Sequence, residues 1–201
     1  MPISPRANPQ THDVYFAAAG FRVYWRNPNH GITVGDDGLA FTVDGRARAI
    51  VWSDIAAVHL QIAALGSARN TIDQCKIDFT DGSAIVVSNA TSRGLPDAAQ
   101  TSVYRDFIRA LHAHLAPRAS GAIRFSAGMA AWRYRTLMIT LVIAGLFFIV
   151  TPIGLTLFAG DWRMLILAAT GVAFVWPFVL LLSKSAPRIY RPDAPPDELL
   201  S

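Results

Sequence analysis

Residues 14 to about 89 alternate short runs of apolar and polar residues with turn-forming segments. The runs are rich in β-branched and aromatic residues and end at glycine, asparagine or aspartate, which is typical of antiparallel strands joined by short turns. In the clearest hairpin, Asp81-Gly82 predicts a two-residue type I′ turn, which requires positive φ at both residues. The predicted strands cover residues 21–25, 32–34, 39–43, 47–52, 55–62, 75–79 and 84–88.

An amphipathic helix is predicted directly after these strands. Asp97 and Gln100 have the spacing of a capping box at its start, and Pro117 ends it. His112 falls with the charged residues on the polar side. A helix that covers one open end of a strongly bent sheet buries the apolar faces of both, so we predict an α+β domain. The apolar stripe of the helix consists of Val103, Tyr104, Phe107, Ile108, Leu111 and Leu115.

Two segments without a charged residue follow, at residues 136–160 and 164–183. An α-helix needs about 20 apolar residues to cross the hydrocarbon core of a bilayer, so both segments are long enough. Only a few residues separate the predicted spans, 137–158 and 164–182, so the two helices must form an antiparallel transmembrane hairpin. Neither span contains an ionisable residue, which argues against an ion or substrate pathway.

The distribution of basic residues predicts the orientation of this hairpin. Arginines precede the first span and basic residues follow the second, whereas the connecting loop has only Arg163, which Asp161 offsets. Cytoplasmic segments of membrane proteins carry an excess of Lys and Arg, so we expect both termini in the cytoplasm. Tryptophan and tyrosine favour the membrane–water interface. The predicted interface residues are Trp132, Arg133, Tyr134, Arg135, Trp162, Lys184 and Arg188.

Composition and charge exclude several classes of protein. The chain of 201 residues is 52% hydrophobic and 16% charged, which excludes an intrinsically disordered protein. Residues 1–117 are neutral and the net charge of +4 arises after them, so the domain lacks the basic patch of a nucleic-acid binder. The predicted segments are a flexible N-terminal tail (1–13), a cytoplasmic domain (14–117), a basic juxtamembrane linker (118–135), the transmembrane hairpin (136–183) and a cytoplasmic tail (184–201).

The strand at residues 49–58, the hairpin at 77–85 and the closing helix together resemble the bacterial pleckstrin-homology-like (PH-like) domains. The resemblance covers residues 14–116, about half of the chain. It implies a bent antiparallel barrel of about seven strands, capped by a C-terminal helix and used to bind proteins, peptides or lipids. A PH-like domain joined to a short membrane hairpin is also similar to known small bacterial membrane proteins.

The resemblance also implies a candidate lipid site. Phosphoinositide-binding members place a basic residue late in the first strand and an Arg-x-Arg in the second. Arg26 and the pair Arg46 and Arg48 match this pattern, and are therefore candidates for contact with a lipid headgroup. The alternative is that these arginines are solvated side chains that discourage edge-to-edge pairing of strands.

The sequence offers no motif for catalysis, for a cofactor or for a metal. It has no phosphate-binding loop and no nucleophile elbow. His112 and His114 are two residues apart on a helix and cannot hold one metal ion together. Asp36-Asp37 has a glycine on each side and is predicted to be a turn. Cys75 alternates with Ile77 and is expected to point into the core.

These observations predict an integral membrane protein that tethers a PH-like binding module to the cytoplasmic face of the membrane and recruits or regulates a protein partner. A peripheral sensor of anionic lipid headgroups and a small membrane enzyme without a recognisable motif are the alternatives. We expect no cofactor and no enzyme activity. The expected partners are the lipid bilayer and a protein, with homo-oligomerisation through the transmembrane helices as a further option. A composition rich in arginine and alanine, with lysine only at Lys76 and Lys184, suggests a bacterium with GC-rich coding. We therefore expect the hairpin in the inner membrane of a bacterium, with both termini cytoplasmic.

Overall fold

The computed structural model describes residues 9–19, 29–65, 71–95, 97–118, 122–160 and 162–194. The chain divides into two units. Unit 1 comprises Met1–Ala127 together with Arg188–Ser201, and unit 2 comprises Gly128–Pro187. The sequence of unit 1 is therefore interrupted by the whole of unit 2.

Unit 1 has strands and one long helix, α1, and is an α+β unit as predicted. Its sheet has the strand order β4-β3-β2-β1-β7-β6-β5-β8-β9, and neighbouring strands are antiparallel except for the parallel pair β5 and β8. The elements of unit 1 are β1 (Gln10–Ala18), β2 (Asn29–Val34), β3 (Gly38–Val43), β4 (Arg46–Val51), β5 (Ile55–Leu65), β6 (Thr71–Phe79), β7 (Ala84–Ser88), α1 (Ala98–Leu115), β8 (Arg124–Ala127) and β9 (Arg188–Ile189).

The core of unit 1 lies between one face of the sheet and the apolar stripe of α1. The stripe is buried as predicted, with Phe107, Ile108 and Leu111 fully inaccessible to solvent. Alternate residues of the strands supply the other side, for example Val14 and Phe16 of β1. This alternation is the period of two that an antiparallel strand with one buried face requires.

The start of α1 confirms Asp97 as the N-cap. Its carboxylate accepts a hydrogen bond from the backbone N–H of Ala99 at 2.9 Å, which satisfies one of the free donors of the first turn. Gln100 does not complete the predicted capping box, because its buried Oε1 has no hydrogen-bond partner among the described residues. Pro117 lies in a single 3₁₀ turn, Ala116–Arg118, directly after the helix.

The predicted N-terminal tail is wrong for residues 10–13, because β1 begins at Gln10. Thr11 is the register partner of Thr33 in β2, and their hydroxyl groups lie 2.9 Å apart. His12 continues the inward alternation of Val14 and is buried. The predicted strand at residues 21–25 lies outside the described residues.

The type I′ turn predicted for Asp81-Gly82 is also wrong. Gly82 has a φ of 81°, whereas Asp81 is not among the residues with positive φ. The Asp81 carboxylate instead accepts hydrogen bonds from the backbone N–H and the hydroxyl of Ser83, which stabilises a longer connection between β6 and β7. Positive φ at two successive residues occurs at Asp44 and Gly45, between β3 and β4.

The domain extends beyond the predicted boundary at residue 117. β8 lies in the predicted juxtamembrane linker and pairs with β5, and β9 lies in the predicted C-terminal tail and pairs with β8. Residues 195–201 of that tail are outside the described part of the chain. Long-range pairing explains the error, because both strands are too short to give a periodic signal of their own.

Unit 2 is helical. It contains α2 (Ala131–Gly145), a π-helical turn (Leu146–Val150), α3 (Thr151–Ala159) and α4 (Met164–Lys184). Among the described residues, one helical segment, Ala131–Phe158, is long and apolar enough to cross a membrane, and only 6% of its most apolar window is buried. The apolar segment in α4, Leu165–Leu180, is shorter. One of the two predicted spans therefore meets this criterion of length and hydropathy.

Candidate functional site

Unit 2 exposes many large apolar side chains. Phe158 is 95% exposed, Leu157 81% and Ile139 62%. Contiguous exposed apolar surface of this kind marks contact with a membrane or a protein. The low burial also distinguishes Ala131–Phe158 from the core helix of a soluble protein, which would be mostly buried.

The π-helical turn in unit 2 has a physical cause in Pro152. Proline has no backbone N–H, so it cannot donate to the carbonyl of Phe148 four residues earlier. Over one turn, Leu146–Val150, the helix is therefore π-helical. The Thr151 hydroxyl donates to the carbonyl of Leu146 at 3.0 Å. The backbone N–H of Thr151 also donates to this carbonyl, so Leu146 accepts two hydrogen bonds from one residue at the turn.

Gly171 of α4 lies directly against this irregular turn. A Cβ atom at Gly171 would lie 2.4 Å from the carbonyl oxygen of Phe148, closer than any side chain allows. Phe148 also packs against Phe174, with ring centroids 6.4 Å apart. Glycine is therefore what permits the close approach of α4 to the Pro152 region.

The structure distributes the predicted interface residues over several elements. Trp132 to Arg135 form the first turn of α2, where Trp132 is 70% exposed and the Arg133 guanidinium lies 5.9 Å from the centre of its ring. Trp162 lies between α3 and α4 and is exposed. Lys184 is the last residue of α4, and Arg188 is an exposed residue of β9 in unit 1. Within this set, the structure brings Trp132 and Arg133 into contact.

In unit 1, the strand that precedes unit 2 in the sequence, β8, pairs with the strand that follows it, β9. Ser126 and Ala127 of β8 are the register partners of Ile189 and Arg188 of β9. The backbone N–H of Tyr190 donates to the carbonyl of Phe125 at 3.3 Å. The chain thus leaves the sheet at β8 and rejoins it at the neighbouring strand.

Tyr190 is fixed by a hydrogen bond to His112 of α1. His112 Nδ1 lies 2.8 Å from the carbonyl of Ile108 and must donate to it, so Nε2 of the neutral ring accepts from the Tyr190 hydroxyl at 2.9 Å. Burial lowers the pKa of His112, and the hydrogen bond to Ile108 opposes that shift. Burial also raises the pKa of Tyr190 well above its ordinary value. Both groups are neutral at physiological pH.

Sequence reasoning missed this contact because it placed His112 on the polar side of α1. The side chain is 3% exposed, since Phe125 and Tyr190, which come after the helix, cover it with ring centroids 5.8 and 5.7 Å away. The β-prone pair Ile189-Tyr190 between two prolines was the available signal for β9.

The candidate headgroup residues are partly engaged within the domain. The Arg48 guanidinium donates to the Asp81 carboxylate at 3.0 Å and to the Ser83 hydroxyl at 3.4 Å. Hydrogen bonds from Ser83, and then the contact with Arg48, lower the pKa of Asp81. Arg46 is exposed at the start of β4, and Arg26 lies outside the described residues. Contact of these arginines with a headgroup stays a prediction.

A groove of about 580 Å³ runs along the outer face of β2, β3 and β4. Its floor consists of small side chains, because Thr33, Ala40 and Ala49 are register partners across the three strands. The turn at Asp36-Asp37 forms one rim. The floor can accept an uncharged segment of a partner, and the lining also includes the Thr33 hydroxyl and the carboxylates of Asp36 and Asp37.

The described residues include no group of three or more His, Cys, Asp or Glu side chains that could hold a metal ion. Cys75 is fully buried, as the alternation with Ile77 predicts, and burial raises its pKa so that the thiol stays protonated. Asp36 lies in a turn, as predicted, and its carbonyl accepts a hydrogen bond from the Trp52 indole at 2.8 Å.

No protein-family model matches this chain, and a search of the curated proteins gives no match.

Proposed function

We propose that this chain is an integral membrane protein that holds an α+β binding module at the cytoplasmic face of a bacterial inner membrane and there recruits or regulates a protein partner. The observation that carries the proposal is the pairing of β8 with β9. These neighbouring strands flank an apolar helical unit in the sequence.

The pairing of β8 with β9 supports an even number of membrane crossings. Ala131–Phe158 is about 42 Å long at 1.5 Å per residue, more than a ~30 Å hydrocarbon core requires. If this segment crosses once, the chain after Gly160 is on the far side of the membrane. Because β9 belongs to the same sheet as β8, α4 must carry the chain back. At 21 residues, α4 is about 31 Å long, which is sufficient for the return.

The basic residues at the two ends of the hairpin favour a cytoplasmic location for unit 1. Arg133 and Arg135 lie at the end of α2 that follows β8, and Lys184 ends α4 just before β9. The loop between α3 and α4 offers only Arg163, next to Asp161 in the sequence. Positive charge is retained on the cytoplasmic side.

The shape of unit 1 favours a PH-like binding module rather than an enzyme. β4 lies at one edge of the sheet, yet the Arg48 guanidinium reaches the carboxylate of Asp81, in the connection between β6 and β7. This contact between strands far apart in the sheet order supports a strongly bent sheet covered by α1. In PH-like domains this architecture binds proteins, peptides or lipids.

A protein partner is favoured over an anionic lipid headgroup by the state of Arg48. A guanidinium that is already paired with Asp81 must give up that contact to bind a phosphate. The uncharged floor of the groove on β2–β4 needs no such exchange. The lipid-sensor alternative depends on Arg46, which is exposed.

Cysteine labelling of the full chain tests the topology. Trp162→Cys places a thiol in the loop between α3 and α4, and Thr42→Cys places one on exposed β3 as a matched control. Cys75 is fully buried and does not interfere. We expect a membrane-impermeant maleimide to label Trp162→Cys in spheroplasts and Thr42→Cys only in inverted vesicles. Labelling of both from one side would contradict the proposal.

Substitution of the groove in the full chain tests the binding module. Ala49→Arg places a long cation on the groove floor, and Ala47→Arg makes the same change on β4 outside the groove. Proteins that co-purify with the unaltered chain in mild detergent should be lost with Ala49→Arg and retained with Ala47→Arg. Equal retention by both variants would exclude the groove as the recognition surface. Binding to anionic vesicles that depends on Arg46 would favour the lipid alternative.

A further inference from the structure

Residues 188–190, here called the strap, complete the domain from the far end of the helical unit. We infer that the strap docks on β8 and α1 only after α4 has brought the chain back across the membrane, so that completion of the domain depends on correct membrane topology. The inference rests on the two crossings proposed above.

The strap makes three kinds of contact with the rest of unit 1. Arg188 and Ile189 pair with β8, which otherwise would end the sheet at an open edge. The backbone N–H of Tyr190 donates to the carbonyl of Phe125. The Tyr190 ring packs against Phe125 and His112, with both centroid distances 5.7 Å.

The domain is incomplete without these contacts. His112 Nε2 receives its hydrogen bond from the Tyr190 hydroxyl, and His112 is 3% exposed. If the strap leaves, the His112 ring loses its hydrogen bond and its cover, and the ring of Phe125, now 4% exposed, loses its cover as well. Exposure of apolar surface to water is unfavourable, so the remaining domain is less stable than the completed one.

The position of the strap in the sequence couples this completion to the membrane. β8 and α1 precede unit 2, whereas the strap follows the last helix directly. The domain residues before unit 2 are therefore synthesised before either helix can insert. Docking then depends only on the side of the membrane where residue 185 emerges. An α4 that fails to cross would leave the strap on the far side and β8 unpaired.

A disulfide between register partners reports docking in the full chain. Ser126 and Ile189 are paired across β8 and β9, and the Cα separation of antiparallel partners, about 4.5–5.5 Å, lies in the range that disulfides span. The double variant Ser126→Cys with Ile189→Cys should therefore cross-link under mild oxidation. Cys75 is fully buried and does not compete.

Blocking the return of α4 tests the dependence on topology. Val172 and Phe174 are 46% and 60% exposed on α4, so Val172→Arg with Phe174→Arg places two charges at the bilayer core. Val172→Leu with Phe174→Leu is the matched control. We expect the cross-link to form with the leucine pair and to fall at least tenfold with the arginine pair. Equal cross-linking in both would overturn the inference.

The labelling of Trp162→Cys in the unaltered chain separates this inference from the proposed topology. Labelling from the cytoplasmic side would contradict the proposed crossings and the inference with them. Labelling from the periplasmic side, with no cross-link in the leucine control, would overturn the strap alone.

Tyr190→Phe tests the hydrogen bond without changing the topology. It removes only the hydroxyl group, so the midpoint temperature of unfolding in detergent should fall by several degrees. Tyr134→Phe makes the same change in the first turn of α2 and should leave the midpoint unchanged. An unchanged midpoint for Tyr190→Phe would contradict the role of His112 in holding the strap.

Discussion

Replacing all of unit 2 by a two-residue turn should yield a water-soluble form of unit 1. Ala127 and Arg188 are register partners at the end of the β8–β9 pair, so the chain ends left by removal of Gly128–Pro187 already lie side by side. Asn-Gly joins antiparallel partners of this kind in a type I′ turn, because both residues accept positive φ. The shortened chain keeps the strap and loses the apolar helices.

The length of the removed segment sets how much the shortened connection can stabilise unit 1. Shortening a connection from about 60 to 2 residues removes nearly five doublings of loop length, or about 3 kcal/mol of closure entropy. This is an upper bound, since unit 2 is itself helical. Retaining Tyr190 preserves the hydrogen bond to His112, which contributes about 0.5–1.5 kcal/mol, and the packing of its ring against Phe125. The strap should therefore be a measurable part of the stability of the shortened chain.

Urea unfolding followed by circular dichroism measures this contribution. The shortened chain should unfold cooperatively, and the same chain with Tyr190→Ala should have a lower midpoint and an unchanged slope. Arg191→Ala is a control beyond the strap, because Arg191 is exposed and pairs with Asp193. An insoluble product, or identical midpoints with and without Tyr190, would refute the reasoning from the β8–β9 pair.

Three further predictions concern α1, protonation and the helical unit. Leu111→Ala should destabilise unit 1 by about 2–5 kcal/mol in thermal unfolding because Leu111 is fully buried, whereas exposed Arg109→Ala should change it by less than about 0.5 kcal/mol. In the folded state the pKa of His112 lies below its ordinary value of about 6.5, so near that pH the unfolded chain binds more protons than the folded one. The free energy of unfolding should therefore fall as the pH drops below about 6.5. A free energy of unfolding that does not change between pH 8 and 5 would contradict this. Gly171→Val should disrupt the packing of α4 against Phe148 and lower the melting temperature in detergent, whereas Gly154→Val, which meets open space, is the control.

The sequence predicts those elements whose capping and turn residues mark the same boundaries as their pattern of apolar and polar residues. The stripe of α1 and its N-cap at Asp97 follow from helical spacing and capping, and β3 follows from alternation between two turns. The positive φ of Gly82 follows from the sequence. The predicted two-residue turn does not form, because the Asp81 carboxylate accepts a hydrogen bond from the backbone N–H of Ser83 in a longer connection.

The candidate site was less predictable because its contacts join residues far apart in the sequence. His112 and Tyr190 are separated by 78 residues, and both Phe125 of β8 and Tyr190 pack against the His112 ring. The pairing of Arg48 with Asp81 is equally non-local, so the sequence shows a free Arg-x-Arg where the structure shows one engaged guanidinium. No periodicity in the sequence contains such information.

The two edges of the sheet have a consequence for crowding on a membrane. A protein anchored in a bilayer diffuses in two dimensions, so copies of its domain meet often and in similar orientations. An open strand edge would then act as a template for aggregation. One edge here is β4, which carries Arg46 and Arg48, and the other is β9, which has two residues with Pro187 and Pro192 nearby on either side. If unit 2 anchors the chain in a bilayer as proposed, charge at one edge and the short, proline-flanked strand at the other would keep neighbouring copies from joining their sheets.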